Sequence, residues 1–388
     1  MNADSSQTPV TGSAGVGEHV LLTGATGFLG AEIMKRILRG HPESRLTVLV
    51  RSTPRETASE RIERLLAKSC GLQEVARHRD RVEVVEGDIS NRGLGMDSER
   101  AATLQTRVDH VIHCAASIRF DSPLEVARRD NTEGTRNMLT FAERLTRLGR
   151  FDYIGTAYVA GNRRGLLKED ELDMGQTFTN SYEQTKMESE TLVRAFAKTH
   201  PATIFRPSVV VGDSKTGETS SFQGFYQALL LYRQLYSKGV IVLVPADPDT
   251  PVDLVPIDYV VDALFALMDS KKSIGRCFHL TSGPGHTCTF DELMRITADF
   301  TKIKPPPYVT KETYQRYLRP VLMLVFGRTK KRGMILKAET YMNYASSNFV
   351  FDKTNTNELL AGTGITTPDP RKYFVKLLEY QAKALRLG

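Results

Sequence analysis

Val20-Leu21-Leu22-Thr23-Gly24-Ala25-Thr26-Gly27-Phe28-Leu29-Gly30 is the stretch on which the reading of this chain turns. An apolar run ends in three glycines spaced three apart, and the helix-like Ala31-Glu32-Ile33-Met34-Lys35-Arg36-Ile37-Leu38 follows. The order is strand, tight turn, helix. Gly24 suits the sharp turn, Gly27 lets backbone N–H groups approach a pyrophosphate, and Gly30 lets the helix lie close on the strand. Thr26, Phe28 and Leu29 complete a phosphate-facing turn at the positive end of the helix dipole.

Outward from this turn, strand and helix patterns alternate. Residues 45–51, 82–88, 108–114, 151–156 and 202–207 read as further strands, with Pro207 ending regular pairing. Helical spacing covers 54–70, 131–148 and 180–199. Such alternation predicts an α/β fold with a doubly wound parallel sheet of the Rossmann type. From Ser208 onward the pattern loosens, with a helix expected over 222–236, a strand over 241–244, a helix from near Pro256 and another over 370–385. The expected organisation is a Ser/Thr/Gly-rich disordered tail over 1–17 and a dinucleotide domain over 18–207. Residues 208–388 then form mainly a smaller C-terminal substrate lobe, parts of which return to the sheet.

At 388 residues with 40% hydrophobic side chains, the chain can bury a large core. Cys70, Cys114, Cys277 and Cys288 form no CxxC pair or metal-ligand spacing, so no metal is expected, and the N-terminal segment lacks the apolar run of a signal peptide. These features fit the reducing cytoplasm. The longest apolar runs, such as 321–326, fall short of the ~20 residues that span a bilayer. A net charge of +7 fits phosphate-rich ligands or an acidic carrier as well as solvated helix faces, and no nucleic-acid-binding motif is present.

Tyr182 and Lys186 stand four apart on a predicted helix, hence on one face. A lysine there is expected to lower the phenol's pKa from ~10 towards neutrality, so that tyrosine can protonate a carbonyl oxygen as hydride arrives. Thr156, at the end of the fifth strand, offers a hydroxyl to the same oxygen. At the end of the second strand, where a ribose-binding acid would favour NADH, the residue is Arg51. Its guanidinium, assisted by Arg61, suits a 2′-phosphate, so NADPH is the expected cofactor. Asp88 and Ile89 lie where the third strand reaches the adenine, and Cys114-Ala115-Ala116 leaves room beside the cofactor. Asn131 is read as the start, and by propensity the cap, of its helix.

T-G-A-T-G-F-L-G at 23–30, H-C-A-A-S-I-R-F-D at 113–121, G-T-A-Y-V-A-G at 155–161 and N-S-Y-E-Q-T-K at 180–186 together resemble the extended short-chain dehydrogenase/reductases. R-P-S-V-V-V-G at 206–212 and V-D-L-V-P-I-D-Y-V at 252–260 resemble, within them, the fatty acyl-CoA reductases and thioester reductase domains. The resemblance runs from about 18 to 290. It implies Thr156, Tyr182 and Lys186 as the catalytic triad, Lys186 also on the nicotinamide ribose, and Pro207, Ser208 and Val209 along the carboxamide. Gly155 stands where the family usually has Ser. The implied reaction is NADPH-dependent reduction of an acyl thioester, borne by coenzyme A or an acyl carrier protein, to aldehyde and on to alcohol if a second hydride follows. A dehydrogenase or reductase of a ketone, aldehyde or secondary alcohol would use the same triad. The apolar density of 222–236 and 320–326 is read first as core packing. The alternative is an acyl tunnel or a peripheral membrane contact, with Lys330, Lys331 and Arg332 nearby.

Overall fold

The computed structural model describes residues 15–70, 78–222, 243–326 and 348–385, together with Tyr226, Leu230, Arg332, Glu339 and Tyr344. Most of the expected tail, most of the helix over 222–236, part of the strand over 241–244, and Lys330 and Lys331 lie outside the described residues.

The principal elements begin with β1 (His19–Thr23), α1 (Phe28–Gly40), β2 (Arg45–Val50), α2 (Ala58–Cys70), β3 (Val82–Glu86), α3 (Ser98–Arg107), β4 (His110–His113), α4 (Leu124–Ala127), α5 (Gly134–Ala142) and β5 (Arg150–Ile154). After them come β6 (Gly165–Leu167), α6 (Ser181–Phe196), β7 (Ala202–Pro207), β8 (Val209–Val211), β9 (Leu254–Pro256) and α7 (Ile257–Met268). The last are β10 (Cys277–Leu280), α8 (Phe290–Thr301), α9 (Arg319–Phe326), β11 (Phe349–Phe351), α10 (Thr354–Leu360) and α11 (Pro370–Ala384).

Seven strands pair in the order β10-β7-β5-β4-β1-β2-β3, every pair parallel. Strand alternation sends Val20 and Leu22 to one face and Leu21 to the other. On the first face they meet Ile33, Met34 and Ile37 of α1, Ile62 of α2 and Leu264 of α7. On the second, Leu21, Val111 and Phe151 meet Leu104 of α3, Met138 and Phe141 of α5, and Val193 and Phe196 of α6. Because both faces are covered, the strands are buried runs rather than half-polar ones. The strand order reverses direction at β1, which opens a crevice between the carboxyl ends of β1 and β4.

Three differences from the sequence reading have physical causes. First, α1 begins at Phe28 rather than Ala31, because Gly27, in extended conformation, already serves as its N-cap. Second, Asn131 does not begin or cap a helix. It lies inside a π-helical segment, Arg128–Glu133, between α4 and α5, and the helical run ends at Ala142 rather than continuing to Leu148. Third, β10 is a seventh strand that local pattern did not reveal. Its four residues pair with β7 through Cys277↔Ile204 to Leu280↔Pro207, so their strand character comes from that partner.

Beyond the main sheet, β8 pairs with β9, and β11 returns to pair with β6, which brings residues 349–351 beside 165–167. The core-packing expectation for 320–326 does not hold. On α9, Leu324 is 87% exposed, and Val321 and Val325 are exposed as well. Tyr317, one turn before α9, is exposed on the same i, i+4, i+7, i+8 stripe. Among the described residues no helix is long and apolar enough to cross a membrane.

Candidate active site

The glycine turn closes onto β4. Gly24 has φ of +77°, and a Cβ on it would sit 2.7 Å from the backbone N of Ala115 and from the carbonyl carbon of Cys114. A Cβ on Gly30 would come 2.1 Å from the Gly24 carbonyl oxygen. Neither position tolerates a side chain. Thr23 locks the two strand ends together: its Oγ1 contacts His113 Nδ1 at 2.8 Å and accepts the Ala115 N–H at 3.2 Å. Burial drives the His113 pKa down to about 3, so the ring is neutral.

Gly27 supplies no side-chain cap and the first turn of α1 holds no acidic residue. The N–H groups of that turn therefore face the crevice with no competing side-chain anion, which fits the diphosphate of a dinucleotide. Thr26, Arg51 and Arg61 gather at its rim. Arg61 donates one hydrogen bond to the Arg51 carbonyl and another, at 3.3 Å, to Thr26 Oγ1. The exposed Arg51 guanidinium lies 3.5 Å from Asp88 Oδ2. Partial burial pushes the Asp88 carboxyl up, but hydrogen bonds from Ser90 and the Arg51 charge outweigh it and hold the group below its ordinary value. Ile89 packs beneath, its side chain against Gly134.

Asn131 ties the floor together. It accepts the Ser117 N–H at 2.7 Å and donates to the Ser117 carbonyl at 3.1 Å and to Thr185 Oγ1 at 3.0 Å. The π segment thus aims its amide between the loop after β4 and the residue preceding Lys186, a re-aiming for which such insertions are used. Cys114, at that loop, has its thiol pushed up to about 11 by burial and is not a nucleophile at neutral pH.

The candidate reacting groups lie just past β5 and on α6. Thr156, two residues past β5, caps the short 3₁₀ turn that follows, its Oγ1 accepting the Tyr158 N–H at 3.3 Å. That hydroxyl lies near enough to the Tyr182 phenol to pull its pKa down. Asn180 caps α6 by accepting the Glu183 N–H at 3.0 Å, which fixes the turn that carries Tyr182. Buried Lys186 donates to the Ile154 carbonyl at 2.9 Å and stands 4.3 Å from the Tyr153 ring centroid. Two of its three donors remain for a ligand.

The expectation that Lys186 draws the Tyr182 pKa towards neutrality is corrected. Burial pushes the phenol up to about 12, against a lowering pull from Thr156, and the same burial lowers Lys186 to about 8. Tyr182 is therefore a protonated phenol at neutral pH, the form in which it can donate.

Three buried acids were not singled out by sequence reasoning. Glu190, one turn beyond Lys186, is clamped by Arg206 at 2.7 and 2.8 Å and by Arg194 at 2.9 Å. Asp253 accepts from Ser208 Oγ at 2.5 Å and from the Ser282 N–H at 2.8 Å, while its buried Oδ2 has no partner among the described residues. Burial raises that carboxyl above its ordinary range. Glu183 caps α6 from within. The spacings of Glu190 from Lys186 and of Glu183 from the capping Asn180 were readable signals; Asp253 gave none. Of the remaining expected site residues, Pro207 ends β7 and Ser208 and Val209 follow it towards β8, with Ser208 buried.

Residues 22–264 match the NAD-binding family described as male sterility protein. The chain belongs to that family. Among relatives, it is 28% identical to the fatty acyl-CoA reductase wat of Drosophila melanogaster over 88% of this chain and 77% of that protein. It is 25% identical to fatty acyl-CoA reductase 2 of Homo sapiens over 74% of this chain and 62% of that protein. Among curated relatives of this kind, the chain spans as little as 59% of the other protein's length. Its structure resembles the terminal R domain of the myxalamid PKS-NRPS pathway, with a TM-score of 0.81, 28% identity, and coverage of 98% of this chain and 93% of that one. The family description and the crevice agree on a dinucleotide of the NAD(P) type.

Proposed function

We propose that the protein is an NADPH-dependent reductase of acyl thioesters, borne by coenzyme A or a carrier protein, that acts in a reducing compartment of the cytoplasmic kind. The observation that carries the reading is that Thr156, just past β5, lies near the Tyr182 phenol of α6, while Lys186, one turn further along α6, is bonded to the Ile154 carbonyl of β5, in a chain similar to fatty acyl-CoA reductases. Held at the glycine turn, with Arg51 and Arg61 at its rim, NADPH would supply hydride for the thioester carbonyl carbon. Thr156, buried just past β5, would orient the carbonyl oxygen with its hydroxyl. Tyr182, protonated at rest, gives its proton to that oxygen as charge develops there. Lys186, charged below about pH 8, keeps donors for the ribose. The resulting hemithioacetal breaks its C–S bond to give aldehyde and free thiol; a second hydride gives alcohol.

Arg51 supports preference for the 2′-phosphate, since its guanidinium is exposed at the end of β2 and already attracted to an oxyanion, Asp88. The free thiols of Cys114, Cys277 and Cys288 support the reducing compartment. The exposed stripe Tyr317, Val321, Leu324 and Val325, next to Arg316 and Arg319, supports contact with a lipid surface where long-chain substrates partition. Residues 208–388 are assigned mainly to the substrate. Thiol release from acyl thioesters with NADPH tests the reaction, and co-sedimentation with anionic vesicles, weakened in Leu324→Asp, tests the surface.

A further inference from the structure

Four aromatic rings stand around the two reacting hydroxyls, and the mechanism above uses only one of them. Phe120 lies with its ring centroid 5.5 Å from that of Tyr182 and 5.9 Å from that of Tyr344. Tyr344 meets Tyr158 edge-on, at 4.9 Å and 89°. Tyr158 is buttressed behind by Phe349 and Phe351, at 6.0 and 5.9 Å, on the strand that pairs with β6. Its backbone N–H is the group on Thr156 Oγ1. The rings thus form a continuous line from the proton donor to the carbonyl-orienting hydroxyl.

Tyr344 cannot swing away freely. Its hydroxyl donates to Glu183 Oε1 at 2.6 Å and accepts from Asn180 Nδ2 at 2.9 Å. Glu183 is buried and also takes the Thr179 N–H at 3.0 Å and hydroxyl at 2.9 Å. Displacing the ring would leave a buried carboxylate short of a donor, a cost of the kind that fixes side chains in place. Yet Phe120, Tyr158, Tyr182 and Tyr344 are each only half-buried. Rings locked in position, partly open, and gathered at reacting hydroxyls offer a flat apolar face to a ligand there.

We propose that Phe120, Tyr158 and Tyr344 are the wall against which the acyl chain lies next to the reacting carbonyl, and that Tyr344 sets how much branching at the adjoining carbon is accepted. This rests on the acyl-thioester reading. A straight chain lies flat on the rings, whereas a methyl group at Cα presses into the Tyr344 ring.

The test measures binding as well as turnover. The full chain is titrated calorimetrically with two non-reducible thioethers, S-dodecyl-coenzyme A and S-(2-methyldodecyl)-coenzyme A, whose branch corresponds to Cα. Wild type is expected to bind the straight thioether about tenfold more tightly, the scale on which a single methyl group is discriminated in a fitted site. Tyr344→Ala, and Phe120→Ala as a second opening of the same wall, should bring the ratio below about threefold, while Tyr344→Phe retains it. A thermal melt confirms that each variant is folded. A wild-type ratio near one, an unchanged ratio in both folded alanine variants, or no binding of either thioether overturns the wall. Thiol release from the matching thioesters is followed in parallel. Discrimination by binding without thiol release leaves the wall standing and removes the reductase reading; thiol release with an unchanged ratio does the reverse.

Discussion

The two ends of the central sheet both bury charge, and they do so in opposite ways. At the amino end, Arg150 is fully buried and its guanidinium is spent: Nε on Asp152 at 2.8 and 2.9 Å, Nη1 on the Met268 carbonyl at 3.1 Å, Nη2 on Thr203 and Ser273 at 3.1 and 2.8 Å. His110 completes Asp152 at 2.7 Å, and the Gly17 N–H closes its other ring nitrogen at 3.2 Å. At the carboxyl end, Lys186 makes one hydrogen bond and Asp253 keeps an unpartnered oxygen among the described residues. A His–Asp pair looks more catalytic than a lone lysine, yet it is closed on every side and has nothing left to offer a ligand. Unused hydrogen-bonding capacity, rather than the presence of charge, distinguishes Lys186 and Asp253 from the closed Arg150–Asp152–His110 set.

The sharpest way to break this comparison is to remove one group from each end. Tyr182→Phe keeps the ring and its contact with Phe120, so turnover should fall by about 10²–10⁴ while the melting temperature and NADPH affinity stay near wild type. Steady-state kinetics beside a melt decides it, and near-normal turnover would move the proton donor elsewhere. Asp152→Ala should do the opposite. Stripping the partner from a fully buried arginine costs about 3–5 kcal/mol of stability, read by denaturant unfolding, with kcat per folded molecule little changed.

Protonation sharpens the contrast further. With Lys186 lowered to about 8, the ammonium is present below that pH and lost above it, so kcat/KM for the cofactor should fall as pH rises through about 8. A solvated lysine would hold its charge to ~10.4. The same shift has a stability consequence of definite sign. Between about 8 and the unfolded value the unfolded chain binds the proton and the folded chain does not, so the burial penalty is present below this window and is relieved as pH rises through it. An alkaline limb near 10, or one that persists in Lys186→Met, contradicts the assignment. The smallest effect is expected at the rim. Arg51→Asp should reduce the preference for NADPH over NADH by about tenfold or less, because an exposed ion contact is screened by water. Direct titration of both cofactors measures it, and tighter NADH binding by wild type would overturn the role of Arg51.

What could be read in the sequence follows the same division. Gly24, Gly27 and Gly30 announced the crevice because a turn, a close approach and a helix start are local demands. Thr156, Tyr182 and Lys186 were legible as a helical spacing and a strand end. The strand Cys277–Leu280 was not, since its partner β7 lies some 70 residues away and four residues carry no period. Asn131 misled because a π insertion leaves no mark in apolar spacing. The phenol of Tyr182 went the other way from expectation because burial, which spacing cannot report, raises it against the opposing pull of Thr156. Tyr344 reaches Glu183 across 161 residues, a contact that only the return of β11 to β6 brings about.

Reduction of thioesters at this open end of the sheet is tested most directly by mixing the full chain with NADPH and long-chain acyl-coenzyme A while following NADPH absorbance and free thiol together. Thiol is expected to appear in step with NADPH oxidation, one thiol per NADPH if reduction stops at aldehyde and one per two if it continues to alcohol, and Tyr182→Phe should lower both signals together by about 10²–10⁴. Oxidation of NADPH by ketones or aldehydes with no thiol released from any coenzyme A or carrier-protein thioester would contradict it.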